Sequence, residues 1–216
     1  MKFKAVLFDF DYTLGDATES IVAGFRNAFE KMGLPEPTEA AVRSTVGYLL
    51  KDGYTMLTGD SDPERQEEFV RLFQEKCRPM QPKTTKLLPG ARELLEALKE
   101  AGVPMGIITS KRDSALQAVL EALNIRDMFA LTISGDQVHT PKPDPTGLIR
   151  AMETLGVTGD EVLYCGDTVL DAGTAQRAGT HFAAVTTGVT PADDFASYPC
   201  DYVARDMVDM KAWLGL

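Results

Sequence analysis

Val6-Leu7-Phe8-Asp9-Phe10-Asp11-Tyr12-Thr13-Leu14 is a short apolar run that ends in two aspartates and a threonine. A run this short, bounded by acids, reads as a buried strand rather than a helix. The acids then stand where the strand leaves the sheet, and in open α/β sheets that edge is where ligands bind. Two carboxylates one residue apart repel each other, and burying them unpaired is costly. A divalent cation is the simplest way to keep both ionised. Taken alone, Asp-x-Asp serves equally well as a strand end followed by a solvated turn, so the rest of the chain has to decide.

Downstream of this stretch the apolar spacing turns helical. Ile21, Val22, Phe25, Ala28, Phe29 and Met32 recur at helical spacing after Thr18, and Gly33 supplies a C-terminal stop. Thr38 reads as the N-cap of a short helix to about Val46. A second short helix is expected from about Leu50 to Leu57. Pro63 then opens a longer one, with Phe69, Leu72 and Phe73 on one face, expected to stop before Pro79 and Pro82. Residues 16–83 therefore read as all helical.

The pattern changes after that. A helix follows Pro89-Gly90 with Leu94, Leu95 and Leu98, and Val103–Thr109 reads as a buried strand. Asp113 is expected to cap a helix, Phe129–Ile133 to form a strand, and a helix to follow Pro145. Val162–Cys165, His181–Val185 and Tyr202–Ala204 read as strands, with helices over about 171–178 and Met207–Leu214. Strands alternating with helices imply βαβ units and a parallel sheet. The fold class expected is therefore α/β, a Rossmann-like parallel sheet flanked by helices. The core comprises residues 1–15 and 84–216, and residues 16–83 form an inserted all-α domain.

Composition narrows the function. A chain of 216 residues suits one large domain or a core with a smaller insert. The formal net charge of −10 argues against nucleic acid and anionic membrane surfaces as partners. No segment approaches the ~18 apolar residues of a membrane span, and acids interrupt the only apolar run near the N-terminus, unlike a signal peptide. Cys77, Cys165 and Cys200 are far apart and form no C-x-x-C pair, which fits reduced, buried thiols in a cytoplasmic protein; the assembly expected is a monomer or homodimer.

Three later places supply partners for Asp9 and Asp11. Thr109 and Ser110 follow an apolar strand, where their hydroxyls and amides suit a phosphoryl oxygen or simply start a helix. Lys142 sits in Thr140-Pro141-Lys142-Pro143-Asp144, where two prolines fix the direction of one lysine. Asp167 follows a strand as Asp9 does, and Asp171 lies four residues on, able to reach the same place or to cap the next helix. Together these are four carboxylates, a hydroxyl and a lysine at the carboxyl edge of one sheet. Phosphoryl transfer to a carboxylate needs that inventory: a nucleophile, a proton donor, Mg²⁺ and a cation to offset phosphoryl charge.

Asp9-Phe10-Asp11-Tyr12-Thr13-Leu14, Thr109, Lys142 and Gly166-Asp167-x-x-x-Asp171 resemble the four motifs of the haloacid dehalogenase superfamily, in order and at ordinary spacing. The resemblance covers nearly the whole chain, and the helical insert sits where that family carries its C1 cap. Tyr12 departs from the glycine many members carry, and Ser110 from a frequent asparagine. The resemblance implies that Asp9 is a nucleophile forming an aspartyl phosphate and that Asp11 protonates the leaving group, then activates water. It implies that Thr109 and Lys142 hold the phosphoryl group. Asp9, the Asp11 carbonyl and Asp167 would bind Mg²⁺, with Asp171 as ligand or neighbour. Asp11 favours phosphate ester hydrolysis over the dehalogenase branch, whose leaving halide needs no proton.

The expected activity is thus a phosphoglycolate phosphatase-like hydrolysis of a small phosphorylated metabolite. The alternatives are a pyrophosphatase or a phosphomutase of the same fold, and, outside enzymes, a receiver-like phosphoacceptor. A receiver places its acceptor on a middle strand and has no helical insert, which argues against it. Discrimination among substrates should fall to residues meeting the leaving group. The candidates flank Gly47, namely Arg43, Tyr48 and Lys51, besides Ser110. The two cations suit a carboxylate or second phosphate and also suit a solvated helix surface.

Overall fold

A computed structural model describes residues 2–216. The opening strand, β1 (Ala5–Phe8), is buried along its whole length, because the sheet it joins is covered on both faces. The chain then makes a tight turn into a two-residue strand, β2 (Gly15–Asp16), and four helices, α1 (Thr18–Lys31), α2 (Glu39–Arg43), α3 (Leu50–Thr58) and α4 (Pro63–Thr84). It returns through β3 (Lys86–Leu87), antiparallel to β2. From there helices and strands alternate: α5 (Ala91–Glu100), β4 (Met105–Ile108), α6 (Asp113–Ala122), β5 (Leu131–Ile133) and α7 (Thr146–Leu155). The chain ends with β6 (Val162–Gly166), α8 (Val169–Ala178), β7 (His181–Val185), β8 (Tyr202–Ala204) and α9 (Met207–Trp213).

Six strands form one parallel sheet in the order β5-β4-β1-β6-β7-β8. One face is packed by Phe8, Leu94, Leu116 and Met207, the other by Leu7, Leu148, Tyr164 and Phe182. α1 to α4 have a separate core of Phe25, Phe29, Tyr54, Phe69 and Phe73. What matters for the site is the centre of the sheet. Phe8 stands opposite Ile107 of β4 on one side and Cys165 of β6 on the other. The residues leaving these strands, Asp9, Thr109 and Asp167, therefore emerge side by side at the carboxyl edge.

Four sequence expectations need correction. α4 does not stop before Pro79 and Pro82 but runs through both to Thr84. Proline removes one helical hydrogen bond and crowds the preceding turn, and here tertiary packing outweighs that. α1 lies so close that a Cβ on Gly24 would stand 2.7 Å from the Phe73 ring. Asn27 Nδ2 also donates to the Leu72 carbonyl at 2.8 Å. α2 ends at Arg43 rather than near Val46, because the Ser44 and Thr45 hydroxyls donate back to the Ala41 and Val42 carbonyls and turn the chain. Asp113 is the first residue of α6 rather than its cap; Arg112 occupies the cap position. Cys200 is half-buried, whereas Cys77 and Cys165 are buried. The β2–β3 pair between sheet and helical insert was not expected, since two residues leave no periodicity to read. No helix among the described residues is long and apolar enough to cross a membrane.

Candidate active site

Asp9 continues the register of β1, its N–H donating to the Cys165 carbonyl at 2.9 Å. Its carboxylate is therefore placed by the sheet and not by a mobile loop. Lys142 Nζ donates to Asp9 Oδ1 at 2.8 Å and to Asp171 Oδ1 at 2.6 Å, so one ammonium joins two carboxylates. The lysine loop is itself docked: Arg177 Nη1, on α8, donates to the Pro143 carbonyl at 2.9 Å. Asp167 takes a hydrogen bond from the Thr13 hydroxyl at 3.1 Å. Two glycines make room for these acids. A Cβ on Gly166 would stand 2.3 Å from the Asp171 Cβ, and one on Gly188 would stand 2.0 Å from Asp167 Oδ2.

Asp9, Asp167 and Asp171 are all buried, and one oxygen from each lies within 4.8 Å of the others. Burial drives the Asp9 carboxyl up to about 6, with Lys142 pulling against it and Asp171 adding to it. Burial likewise pushes Asp167 well above the carboxylate range, reinforced by Asp171 and Asp9. Burial opposes the charge on Lys142, but Asp171 and Asp9 outweigh it and hold the ammonium above its ordinary range. Three acids facing one lysine leave negative charge uncompensated, which is the electrostatic signature of a cation site. The donors are all carboxylate oxygens, the set that suits a hard divalent ion.

Asp171 answers both readings of its position. With Thr168 it forms a capping box at the start of α8, its Oδ2 accepting from the Thr168 N–H at 3.1 Å and hydroxyl at 2.6 Å. Its Oδ1 receives Lys142 and lies 2.9 Å from the Tyr164 hydroxyl. Donors thus surround both oxygens, so Asp171 fits the role of orienting Lys142 better than that of binding an ion directly.

Asp11 faces the same cavity as Asp9, and both its oxygens lie 3.1 Å from Lys111 Nζ. Thr109 is buried beside them. Its Oγ1 accepts from the Lys111 N–H at 3.3 Å, which leaves the hydroxyl hydrogen free for a ligand. Ser110 turns instead to the helical insert, its hydroxyl donating to the Gly47 carbonyl at 2.7 Å.

A cavity of about 740 Å³ lies between sheet edge and helical insert. Asp9, Asp11, Thr109 and Lys111 line its floor, and Tyr48, Lys51, Gln74 and Gln81 its roof. Tyr48 and Lys51 thus line the same cavity as Asp9 and Asp11. Arg43 does not line the cavity. Its guanidinium stacks over the Tyr12 ring at 4.7 Å and lies 3.4 Å from the Thr18 hydroxyl. Tyr12 has a left-handed backbone, φ 61°, which explains why glycine is the undemanding residue at that turn. The tyrosine is retained there by a buried ring, the Arg43 stack and a 2.9 Å hydrogen bond to Thr18.

Sequence patterns do not single out Lys111, Tyr164, Gln74, Gln81 or Gly188 as site residues. Lys111 follows the Thr109-Ser110 pair directly, and that adjacency was the available signal. The glutamines lie two turns apart on α4, on a stripe that reads as solvated until the insert folds over the sheet edge.

The profile of the haloacid dehalogenase-like hydrolases matches residues 6–185. Among curated proteins, a phosphoglycolate phosphatase from Nitrosospira multiformis is 28% identical over 97% of this chain and 94% of its own. A pyrophosphatase from Halalkalibacterium halodurans is 30% identical over 100% of this chain and 99% of its own. Among solved structures, a haloacid dehalogenase-like hydrolase from Bacteroides fragilis superposes with a TM-score of 0.93 at 35% identity, covering 97% of this chain and 100% of that one.

Proposed function

This chain belongs to the haloacid dehalogenase-like hydrolases, and within that family we propose that it is a Mg²⁺-dependent phosphatase acting on a small phosphate monoester through an aspartyl phosphate. The observation that supports this most is the position of Asp9: a buried carboxylate at a sheet edge, gripped by Lys142, with Asp11 facing the same cavity. In this reading Asp9 attacks phosphorus while Thr109 and Lys142 hold the phosphoryl oxygens. Asp11 gives a proton to the leaving oxygen. In the second half it takes a proton from the water that cleaves the aspartyl phosphate, so the enzyme ends as it began. Asp9 and Asp167 would hold the Mg²⁺ ion, joined by the Asp11 carbonyl, with Asp171 keeping Lys142 in place. The ion would offset charge on the phosphoryl group and on the paired acids.

Acid quench during steady turnover of an aryl phosphate tests the covalent step. A phosphoryl group on the peptide containing Asp9 is the expected result; rapid turnover with no trapped phosphoenzyme would remove the intermediate from the scheme.

Similar proteins are named for phosphoglycolate and for pyrophosphate, and in this reading the sheet edge handles the phosphoryl group that both substrates have, so substrate choice is assigned to the cavity roof. Lys51 and Tyr48 line it and Arg43 does not. On a panel of phosphoglycolate, pyrophosphate, sugar phosphates and nucleoside monophosphates, Lys51→Ala is expected to reorder preference, lowering kcat/KM for substrates with a second anion by roughly 10-fold. Arg43→Ala is expected to keep the wild-type order and to lower the melting temperature through the loss of its stack on Tyr12. An unchanged order in Lys51→Ala, or a changed one in Arg43→Ala, would reverse these roles.

A further inference from the structure

Lys111 takes no part in the reaction described above, yet it is buried at the cavity floor. Its side chain is 4% exposed. Its ammonium sits 3.1 Å from each Asp11 oxygen and 5.8 Å from the centre of the Phe10 ring. Asp11 is its hydrogen-bond partner among the described residues. Drawing an ammonium out of water is expensive, and one carboxylate seldom gives a net gain in stability. The pair does fix where the carboxylate points.

The backbone around Lys111 is held by Gly135 on one side and by Gly47 on another. The Gly135 N–H donates to the Lys111 carbonyl at 3.0 Å, and a Cβ on Gly135 would stand 2.4 Å from the Ser110 carbonyl oxygen. The Ser110 hydroxyl holds Gly47 of the helical insert. Thr109-Ser110-Lys111 therefore places three things at once: a phosphoryl-binding hydroxyl, a contact to the cavity roof and the partner of Asp11.

We propose that Lys111 is the positioning residue for proton transfer: its ammonium spans both Asp11 oxygens and fixes the plane of the carboxyl group, so that its edge is presented to the leaving-group oxygen. This rests on the phosphatase reading and on Asp11 as its acid–base group. As the Asp9–phosphorus bond forms and the bond from phosphorus to the leaving oxygen breaks, that oxygen keeps the bonding electron pair and takes the proton carried by protonated Asp11, which is left as a carboxylate paired with Lys111. Lys111 keeps the carboxyl plane in line throughout.

The leaving group supplies the test. p-Nitrophenolate departs without a proton, whereas an alkoxide needs one. Lys111→Met and Lys111→Arg are compared with wild type by kcat/KM, which reports steps up to release of the leaving group. The substrates are p-nitrophenyl phosphate and the alkyl phosphate that wild type turns over best, with phosphoglycolate tried first. Lys111→Met is expected to lose on the order of 10²-fold on the alkyl phosphate and less than about threefold on the aryl phosphate. Lys111→Arg should recover part of the alkyl activity. In an Asp11→Asn background, Lys111→Met should cost nothing more on either substrate, because a residue acting through Asp11 has nothing left to act on. Equal losses on both substrates, unchanged alkyl activity, or a further loss in the double variant would each overturn the proposal while leaving the phosphatase reading intact. A wild type inactive on every phosphate monoester would instead remove that reading, and the proposal with it.

Discussion

Asp9→Asn is expected to abolish turnover and to make the metal-free protein more stable. Asparagine keeps the shape of the side chain and removes the charge that, in the proposed scheme, attacks phosphorus, so a loss on the order of 10⁴-fold or more is expected for a nucleophile with no substitute. The stability effect follows from the surroundings. Asp9, Asp167 and Asp171 converge within 4.8 Å, and the Lys142 ammonium joins Asp9 and Asp171. Burial raises the Asp9 carboxyl from 3.8 to about 6. A carboxyl raised on folding contributes stability that is full below its unfolded value and lost as pH rises through its folded value. At neutral pH Asp9 is therefore ionised at the expense of the fold, and asparagine removes that cost while also removing one partner of Lys142. The net gain should be roughly 1–3 kcal/mol, with each kcal/mol raising the melting temperature of a chain this size by about 2–4 °C. Melting in chelator should show the variant above wild type at pH 7.5 and the gap closing as pH falls from about 6 toward 4. Turnover near wild type would sink the covalent scheme; a variant that melts lower than wild type at neutral pH would sink the electrostatic account.

Much of this arrangement was legible because parallel sheets write themselves plainly. Val162–Cys165, His181–Val185 and Tyr202–Ala204 are short apolar runs between helical periods, and the strands coincide with them or, for β6, extend one residue further. Once those strands lie parallel, acids that follow them must share one edge, and the sequence places Asp9, Asp11, Thr109 and Asp167 there without coordinates. What escaped depends on the helical insert and on side-chain reach. Local rules end α4 at Pro79; the close seat of Phe73 and Cys77 on Gly24 keeps it going, and no pattern within α4 records that contact. Arg43 read either as a cation facing the substrate or as a solvated helix charge, yet the left-handed turn at Tyr12 presents a ring for it to stack on. Lys111 reaches an acid 100 residues away in the chain, and only the pairing of β1 with β4 makes that distance short.

Removal of divalent cations should silence the enzyme and soften it, and the two effects should share one origin. Asp9 and Asp167 are the acids with oxygens to spare, since Asp171 is enclosed by Lys142, Tyr164 and Thr168. In their absence of a cation both carboxyls are pushed up by burial, so binding an ion relieves the charge that burial penalises. At 100 times its dissociation constant a ligand stabilises the folded state by about 2.7 kcal/mol. With about 2–4 °C per kcal/mol, Mg²⁺ should raise the melting temperature by roughly 5–10 °C. Hydrolysis of an aryl phosphate should fall to background in chelator and return when Mg²⁺ is added in excess. Asp167→Asn separates this from a nonspecific effect of salt. It should melt higher than wild type in chelator, gain little from Mg²⁺, and turn over slowly at every Mg²⁺ concentration. Full activity after exhaustive chelation would exclude a catalytic cation at this cluster. An undiminished Mg²⁺ shift in Asp167→Asn would place the ion on other ligands, because no rearrangement of Asp171 frees an oxygen without releasing Lys142 or opening the first turn of α8.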